Sequence, residues 1–156
     1  MSGPQAFVPE AVIFVGLQAA GKTTFYVERF FSSHVRVSLD LLRTRYRERV
    51  FLDACLQTRQ PFVVDNTNPT VAERARYLEP ARAAGFRTIG YSFVSDVAGS
   101  IRRNEARESR WRVPRAGIYG TRKRLQPPTY AEGFDQLFEV RITAEGEFVV
   151  LELPRE

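Results

Sequence analysis

The chain has 156 residues, of which 44% are hydrophobic and 12% aromatic, enough for one sizeable core within a single domain spanning 1–156. Its formal net charge is +5, and its single cysteine, Cys55, cannot form an internal disulfide, which fits a reducing cytoplasm. No apolar run is long enough for a membrane helix, and the N-terminal apolar stretch lacks the basic flank of a signal peptide, so neither a membrane nor a secretory address is expected.

In chain order, Ala11-Val12-Ile13-Phe14-Val15 is a short apolar run, read as a buried parallel strand over 12–15. It leads into Gly16-Leu17-Gln18-Ala19-Ala20-Gly21-Lys22-Thr23, the pattern G-x-x-x-x-G-K-[ST], and a helix over 22–31 follows. A strand at 35–38 precedes a helix over 40–58, with Cys55 on its apolar face as a core residue. The next strand is 62–65. Asn68-Pro69-Thr70 then supplies a turn and an N-cap for a helix over 71–84, and Gly85 stands where a C-terminal glycine belongs. A strand over 87–94 and a helix over 97–108 continue the alternation. Residues 109–124 break it: they are Arg-rich, hold the one tryptophan, Trp111, and carry Pro114, Gly117 and Gly120, a composition suited to a mobile lid. A strand over 137–142 and an alternating segment over 148–153, joined by Ala144-Glu145-Gly146, read as a hairpin closing one sheet edge. There is no internal repeat or low-complexity linker. The whole pattern predicts an α/β fold with a parallel sheet flanked by helices.

The strand–loop–helix setting of residues 16–23 makes the pattern a nucleotide site. Gly16 and Gly21 permit backbone angles and approaches that a Cβ would block. The loop backbone at Gly16, Ala19, Ala20, Gly21, Lys22, Thr23 and Thr24 would cradle phosphate oxygens of ATP or another NTP, helped by the helix N-terminus. Lys22 would reach the β/γ-phosphates and the Thr23 hydroxyl would hold Mg²⁺. The chain has 21 Arg and two Lys, so a lysine here is a departure from its usual cation; a compact ammonium suits a point contact between phosphates.

Open parallel sheets bind ligands beyond the C-terminal ends of their strands. Two of the five aspartates stand at such ends. Asp40 reads either as a helix N-cap or as a general base that orients an alcohol acceptor and takes its proton. Arg43, three residues on and on the same helical face, reads as a fork for an acceptor phosphate or as a salt-bridge partner of Asp40. Asp65 follows Phe62-Val63-Val64 in the Walker B arrangement, to hold Mg²⁺ through water with Thr23, or else forms a turn before Asn66. Residues 102–124 hold nine basic and two acidic side chains. That stretch is a solvated surface, a clamp on the triphosphate, or a seat for a polyanionic acceptor.

Several stretches together resemble one family. Asp65-Asn66-Thr67-Asn68-Pro69, Arg74-Ala75-Arg76-Tyr77 and Ala81-Arg82-Ala83-Ala84-Gly85 are similar to the kinase domain of animal polynucleotide kinase/phosphatase. So are Tyr119-Gly120-Thr121-Arg122-Lys123, Pro128-Thr129 and Ala131-Glu132-Gly133-Phe134. Ser38-Leu39-Asp40 with the Asp40/Arg43 spacing resembles both that domain and the bacteriophage polynucleotide 5′-kinase, and Arg103-Asn104-Glu105-Ala106-Arg107 resembles the segment leading into the phage enzyme's lid. The resemblance runs over residues 12–142 and points to the 5′-hydroxyl polynucleotide kinases, in the P-loop kinase superfamily.

It implies a P-loop kinase-type sheet and roles for single residues. Lys22 and Thr23 would serve the donor phosphates and Mg²⁺, and Asp40 the 5′-OH as base. Arg43 would contact the acceptor end or the transferring phosphate. Arg107 would be the lid arginine that stabilises charge on the ATP phosphates, and residues 128–134 would border the nucleotide. The phosphatase and phosphopeptide-binding domains of the animal enzyme have no counterpart in this sequence, so no 3′-end processing is expected. The activity expected is ATP-dependent phosphoryl transfer to a 5′-OH end of DNA or RNA. A small-metabolite or nucleotide-sugar kinase and a nucleotide-dependent regulatory module are the alternatives. The basic stretch favours the first over the metabolite kinase, and Asp40 favours either kinase over the module.

Overall fold

The computed structural model describes residues 6–94 and 96–155, so the expected domain limits at 1 and 156 lie outside the described residues. Strand β1 (Glu10–Val15) runs parallel between β3 (Phe62–Val64) and β4 (Arg87–Phe93). Outside them lie β2 (Val35–Val37) and β5 (Gln136–Ile142), also parallel, and β6 (Phe148–Glu152) closes the edge antiparallel to β5. The order is β2-β3-β1-β4-β5-β6. Val64 is level with Ile13 on one side and Val37 on the other. The chain therefore leaves β1, β2 and β3 at one edge, delivering Gly16, Ser38 and Asp65 there together.

The apolar content of β1 follows from cover on both faces. Ile13 and Val15 pack under helices α3 (Arg45–Thr58) and α4 (Val71–Ala83), against Leu52, Cys55, Tyr77 and Leu78. Val12 and Phe14 face α1 (Lys22–Arg29) in an aromatic cluster; the Phe14 and Phe93 rings lie 5.0 Å apart at 63°, an edge contact. Cys55 is a core residue as expected, and burial pushes its thiol up to about 11. Thr70 and Glu73 form a reciprocal capping box on α4. The β5–β6 hairpin turns through Gly146 at φ 81°. Among the described residues no helix is long and apolar enough to cross a membrane.

Two expectations about helices need correction. The helix expected over 40–58 is two: a short α2 (Leu39–Leu42) and α3. Arg43 turns left-handed at φ 72°, and Thr44 starts α3 afresh, its Oγ1 accepting from Arg47 N at 3.1 Å. The cap of α2 is Ser38, not Asp40; its Oγ accepts from Asp40 N at 3.2 Å. The helix over 97–108 ends earlier, as α5 (Val97–Glu105). The Arg-rich segment is itself largely helical, with a 3₁₀ turn (Ser109–Trp111) and α6 (Arg115–Arg124), anchored by the buried Ile118. Asn104 on α5 pins its start, bonding both the N–H and the C=O of Val113 at 2.8 and 2.6 Å.

Candidate functional site

The loop after β1 is shaped by two glycines. A Cβ on Gly16 would lie 2.9 Å from the Phe93 Cβ, so the loop leaves the sheet pressed against the end of β4. Gly21 sits at φ 90°, where a Cβ would also meet Ile142 at 2.8 Å. Ala19 is left-handed too, at φ 58°. This geometry turns the loop into the N-terminus of α1, with Ala19 and Ala20 buried and Thr23 and Thr24 on the exposed side. Two contacts from later in the chain hold it: Gln18 Nε2 donates to Thr121 Oγ1 of α6 at 2.9 Å, and Arg103 of α5 donates to the Ala19 carbonyl.

Lys22 folds back over the loop, 8% exposed, and its Nζ donates to the carbonyls of Gly16, at 3.0 Å, and Leu17. Burial brings its ammonium down to about 8; Asp65 and Asp40 oppose that shift and Arg107 adds to it. Thr23 Oγ1 donates to Asp65 Oδ2 at 2.9 Å. The Asp65 N–H in turn donates to Val37 O at 2.8 Å, so the carboxylate is carried at a fixed point between β2 and β3. Both roles weighed for Asp65 in the sequence thus concern one buried carboxylate that faces the phosphate loop.

An arginine the sequence reading passed over completes this cluster. Arg36 Nε donates to Asp65 Oδ2 at 2.8 Å, and its Nη2 to Thr23 Oγ1 at 3.2 Å. The signal was available. Arg36 stands between Val35 and Val37 in a strand, where a cation requires a partner.

Asp40 is exposed on α2, and no hydrogen bond or ion pair engages its carboxylate among the described residues. Arg43 forms no salt bridge to it; the left-handed turn takes the arginine off the helical face they were expected to share. The backbone before Asp40 is fixed instead by Asn66, whose Oδ1 accepts from Leu39 N at 3.0 Å. Asn66 is held in turn through its Nδ2 by Glu48 Oε2 at 3.1 Å, a buried carboxylate that also accepts from Tyr77 and Arg45.

These groups meet in space. A cavity of about 300 Å³ is lined by Lys22, Thr23, Asp40, Asp65, Asn66 and Arg107 among others. It shares Thr23, Asp40, Arg107 and Val113 with a groove of about 640 Å³, which adds Arg36, Arg43, Glu108, Arg110, Trp111 and Arg112 among others. Asp40 stands where the two join. Residues 128–134 do not line either space: Pro128 lines a separate cavity together with Gly16 and Leu17 of the phosphate loop, and Phe134 is buried in the core. Glu132 is instead the partner of the fully buried Arg74, in a two-pronged ion pair at 2.7 and 2.9 Å.

The fold is shared with known proteins. The AAA domain model matches residues 12–128. The chain is 27% identical over 138 residues to the bifunctional polynucleotide phosphatase/kinase of Schizosaccharomyces pombe, a match covering 84% of this chain and 33% of the relative, so the chain spans about a third of that protein's length. Among solved structures, Chaetomium thermophilum Kti12 superposes with a TM-score of 0.65 at 17% identity, covering 84% of this chain and 88% of that one. A gluconokinase from Sinorhizobium meliloti 1021 superposes at 0.59 with 16% identity, covering 87% and 84%. At those identities the likeness is one of fold. The phosphate loop, the sheet order and the family match together place this chain in the AAA domain family, as a P-loop kinase-like nucleotide-binding domain.

Proposed function

We propose that the protein transfers the γ-phosphoryl group of ATP to the 5′-hydroxyl end of DNA or RNA. The observation that carries this reading is the junction at Asp40. On one side lies the phosphate-loop cavity; on the other runs a groove bearing Arg36, Arg43, Arg107, Arg110 and Arg112 beside Trp111, which is 52% exposed. A strand of phosphates and bases needs cations spaced along a groove and an aromatic face for stacking. The similarity to a polynucleotide phosphatase/kinase supports the same acceptor.

The loop backbone from Gly16 to Thr24 would hold the donor phosphates, with Lys22 turning from its own loop carbonyls to the β/γ oxygens. The Asp40 carboxylate would accept the proton of the 5′-OH as that oxygen bonds to the γ-phosphorus and the bond to the ADP oxygen breaks. Arg107, lining both spaces, would meet charge on the transferring group, and Arg43 would hold the acceptor end. Thr23 and Asp65 present a hydroxyl and a buried carboxylate to a point already taken by a cationic guanidinium, a hard-oxygen pair that fits Mg²⁺. No group of three or more His, Cys, Asp or Glu placed to hold a metal ion exists among the described residues, and Mg²⁺ held largely by substrate phosphates needs none. Bound there, the ion would neutralise charge on the β- and γ-oxygens. The Arg-rich segment 109–124 would act as a lid over these groups, with Asn104 and Gln18 as its attachments.

The test is direct. With labelled ATP and Mg²⁺, 5′-OH oligonucleotides should become labelled and a panel of nucleosides and sugars should not. Labelling of a sugar or nucleoside in preference to every oligonucleotide would replace this reading with a small-molecule kinase.

A further inference from the structure

Thr23 and Asp65 are already engaged by a cation of the chain's own. Arg36 donates through Nε to Asp65 Oδ2 and through Nη2 to Thr23 Oγ1. The Thr23 hydroxyl gives its proton to the same Oδ2, so Oδ2 accepts from both residues while Arg36 takes one lone pair of the hydroxyl. The arginine side chain is 18% exposed and that of Asp65 2%, so the pair is poorly screened by water. A divalent cation sharing the Thr23 and Asp65 oxygens would stand within a few ångströms of the guanidinium, where repulsion between like charges is strong. That repulsion would weigh against both Arg36 bonds.

The arginine also has somewhere to go. It already lines the acceptor groove beside Asp40, Arg43 and Arg107, and no hydrogen bond engages its Nη1 among the described residues. A change of side-chain rotamer would take the fork off Thr23 and Asp65 and into the groove that it already lines. There a guanidinium matches two oxygens of one phosphate.

We propose that Arg36 is a positioning residue that holds Thr23 and Asp65 in place of the metal, is released when Mg²⁺ and nucleotide bind, and then turns to hold a phosphate of the acceptor strand. The proposal rests on reading the groove as an acceptor site for a polynucleotide. It makes the order of binding a property of this chain: the acceptor meets its full set of cations only after the donor side is filled. The exchange needs no further group. Arg36 gives up two hydrogen bonds, the Thr23 hydroxyl regains a lone pair, and the carboxylate passes from one cation to another.

The experiment uses the whole protein, Mn²⁺ as a paramagnetic substitute for Mg²⁺, a non-hydrolysable ATP analogue, and a fluorescent 5′-OH oligonucleotide. Mn²⁺ affinity in the presence of the analogue is read by electron paramagnetic resonance for wild type, Arg36→Gln, Arg36→Ala and Arg36→Lys, after thermal melting has shown that each is folded. The Gln and Ala variants should bind Mn²⁺ about tenfold more tightly, because a competing charge has gone. Arg36→Lys should stay near wild type. A guanidinium that serves only as a brace for Asp65 predicts the reverse, weaker Mn²⁺ binding in every variant, and that result overturns the proposal. So does a Lys variant that behaves like Gln.

By fluorescence anisotropy, loading wild type with Mg²⁺ and the analogue should tighten oligonucleotide binding about tenfold, a coupling within the usual range. Arg36→Gln should lose that coupling; a variant that retains it overturns the proposal. If wild type binds no oligonucleotide in either state, the polynucleotide reading fails and the acceptor half of the proposal with it. The Mn²⁺ measurement then still decides the exchange at Thr23 and Asp65 on its own.

Discussion

Burial at Lys22 works against its ammonium, whereas phosphate oxygens would work for it. With its pKa at about 8 in the folded protein, the side chain is half charged near that pH, and a bound triphosphate would recharge it. Lys22 should therefore contribute an uptake of roughly half a proton to nucleotide binding at pH 8, and almost none at pH 6, where the group is already protonated. Calorimetry in two buffers of different ionisation enthalpy measures this; equal apparent enthalpies at pH 8 would contradict it. The same shift sets the sign of a stability effect. Between about 8 and the ordinary 10.5 the unfolded chain holds the proton that the folded one has lost, so this group's contribution to stability rises with pH. Lys22→Met should remove that rise in urea unfolding while abolishing transfer, since Lys22 packs on the loop's carbonyls and not in the aromatic core. The two aspartates should separate in a different way. Asp40 is exposed and has no ion-pair partner among the described residues, so Asp40→Asn should lower kcat by about 10²–10⁴-fold with nucleotide affinity nearly unchanged. Asp65 is buried against Thr23 and Arg36, so Asp65→Asn should chiefly raise the Mg²⁺ concentration needed for half-maximal rate. Equal losses of ATP affinity in both variants would refute the division.

The link between β3 and α2 shows how one element sets the geometry of another. Asn66, just past β3, holds Leu39 N–H and is held by Glu48 of α3, with Tyr77 of α4 bonded to the same carboxylate at 3.0 Å. Asn66→Ala would leave a backbone donor and part of a buried carboxylate without partners, at a cost of about 1–3 kcal/mol in unfolding free energy. It should also lower kcat, because Asp40 follows Leu39 directly, and leave nucleotide affinity alone. Rate loss matched by an equal loss of nucleotide binding would mean general unfolding and not misplacement of α2. The elements themselves were legible in the sequence wherever a local signal controlled them. The β1 run, the phosphate loop, the Thr70 cap and the β5–β6 hairpin each declare themselves within a few residues. The break at Arg43 did not, because Leu41-Leu42 and the following residues keep a helical pattern, and the interruption depends on Thr44 competing successfully to cap α3. Asp40 and Asp65 stood out in the sequence because they follow strand ends, and both line the cavity. Arg36 and Asn66 were missed because their importance lies in partners 29 and 18 residues away, in Asp65 and Glu48.

At the scale of the whole molecule, the charge is placed unevenly, and the folded chain sorts the arginines that composition alone could not. Arg115 is tied to Glu105, and Arg124 to Glu73 in the first turn of α4, and neither lines the groove. Arg110 lies over the Trp111 ring, 5.2 Å from its centre, and pairs with Glu108 at 3.1 Å, and Arg112 is held by the Arg107 carbonyl at 2.8 Å; both nonetheless line the groove. Salt dependence should therefore report specific side chains and not net charge. For a single-stranded 5′-OH oligonucleotide, the logarithm of affinity should fall linearly with the logarithm of salt, by about 0.7 per phosphate contact. Replacing Arg110 and Arg112 together should flatten that slope by up to about 1.4. Replacing Arg115 and Arg124, which removes the same formal charge, should leave it nearly unchanged. Arg107, shared by both cavities, should instead depress kcat at saturating acceptor. Acceptor KM measured over a salt series, for a dinucleotide and for a longer strand, distinguishes the cases. A groove that seats a strand gives a slope that steepens with length until the arginines are filled. A slope that is flat and independent of length would mean that the acceptor ends at Arg43, and that the molecule phosphorylates a small alcohol.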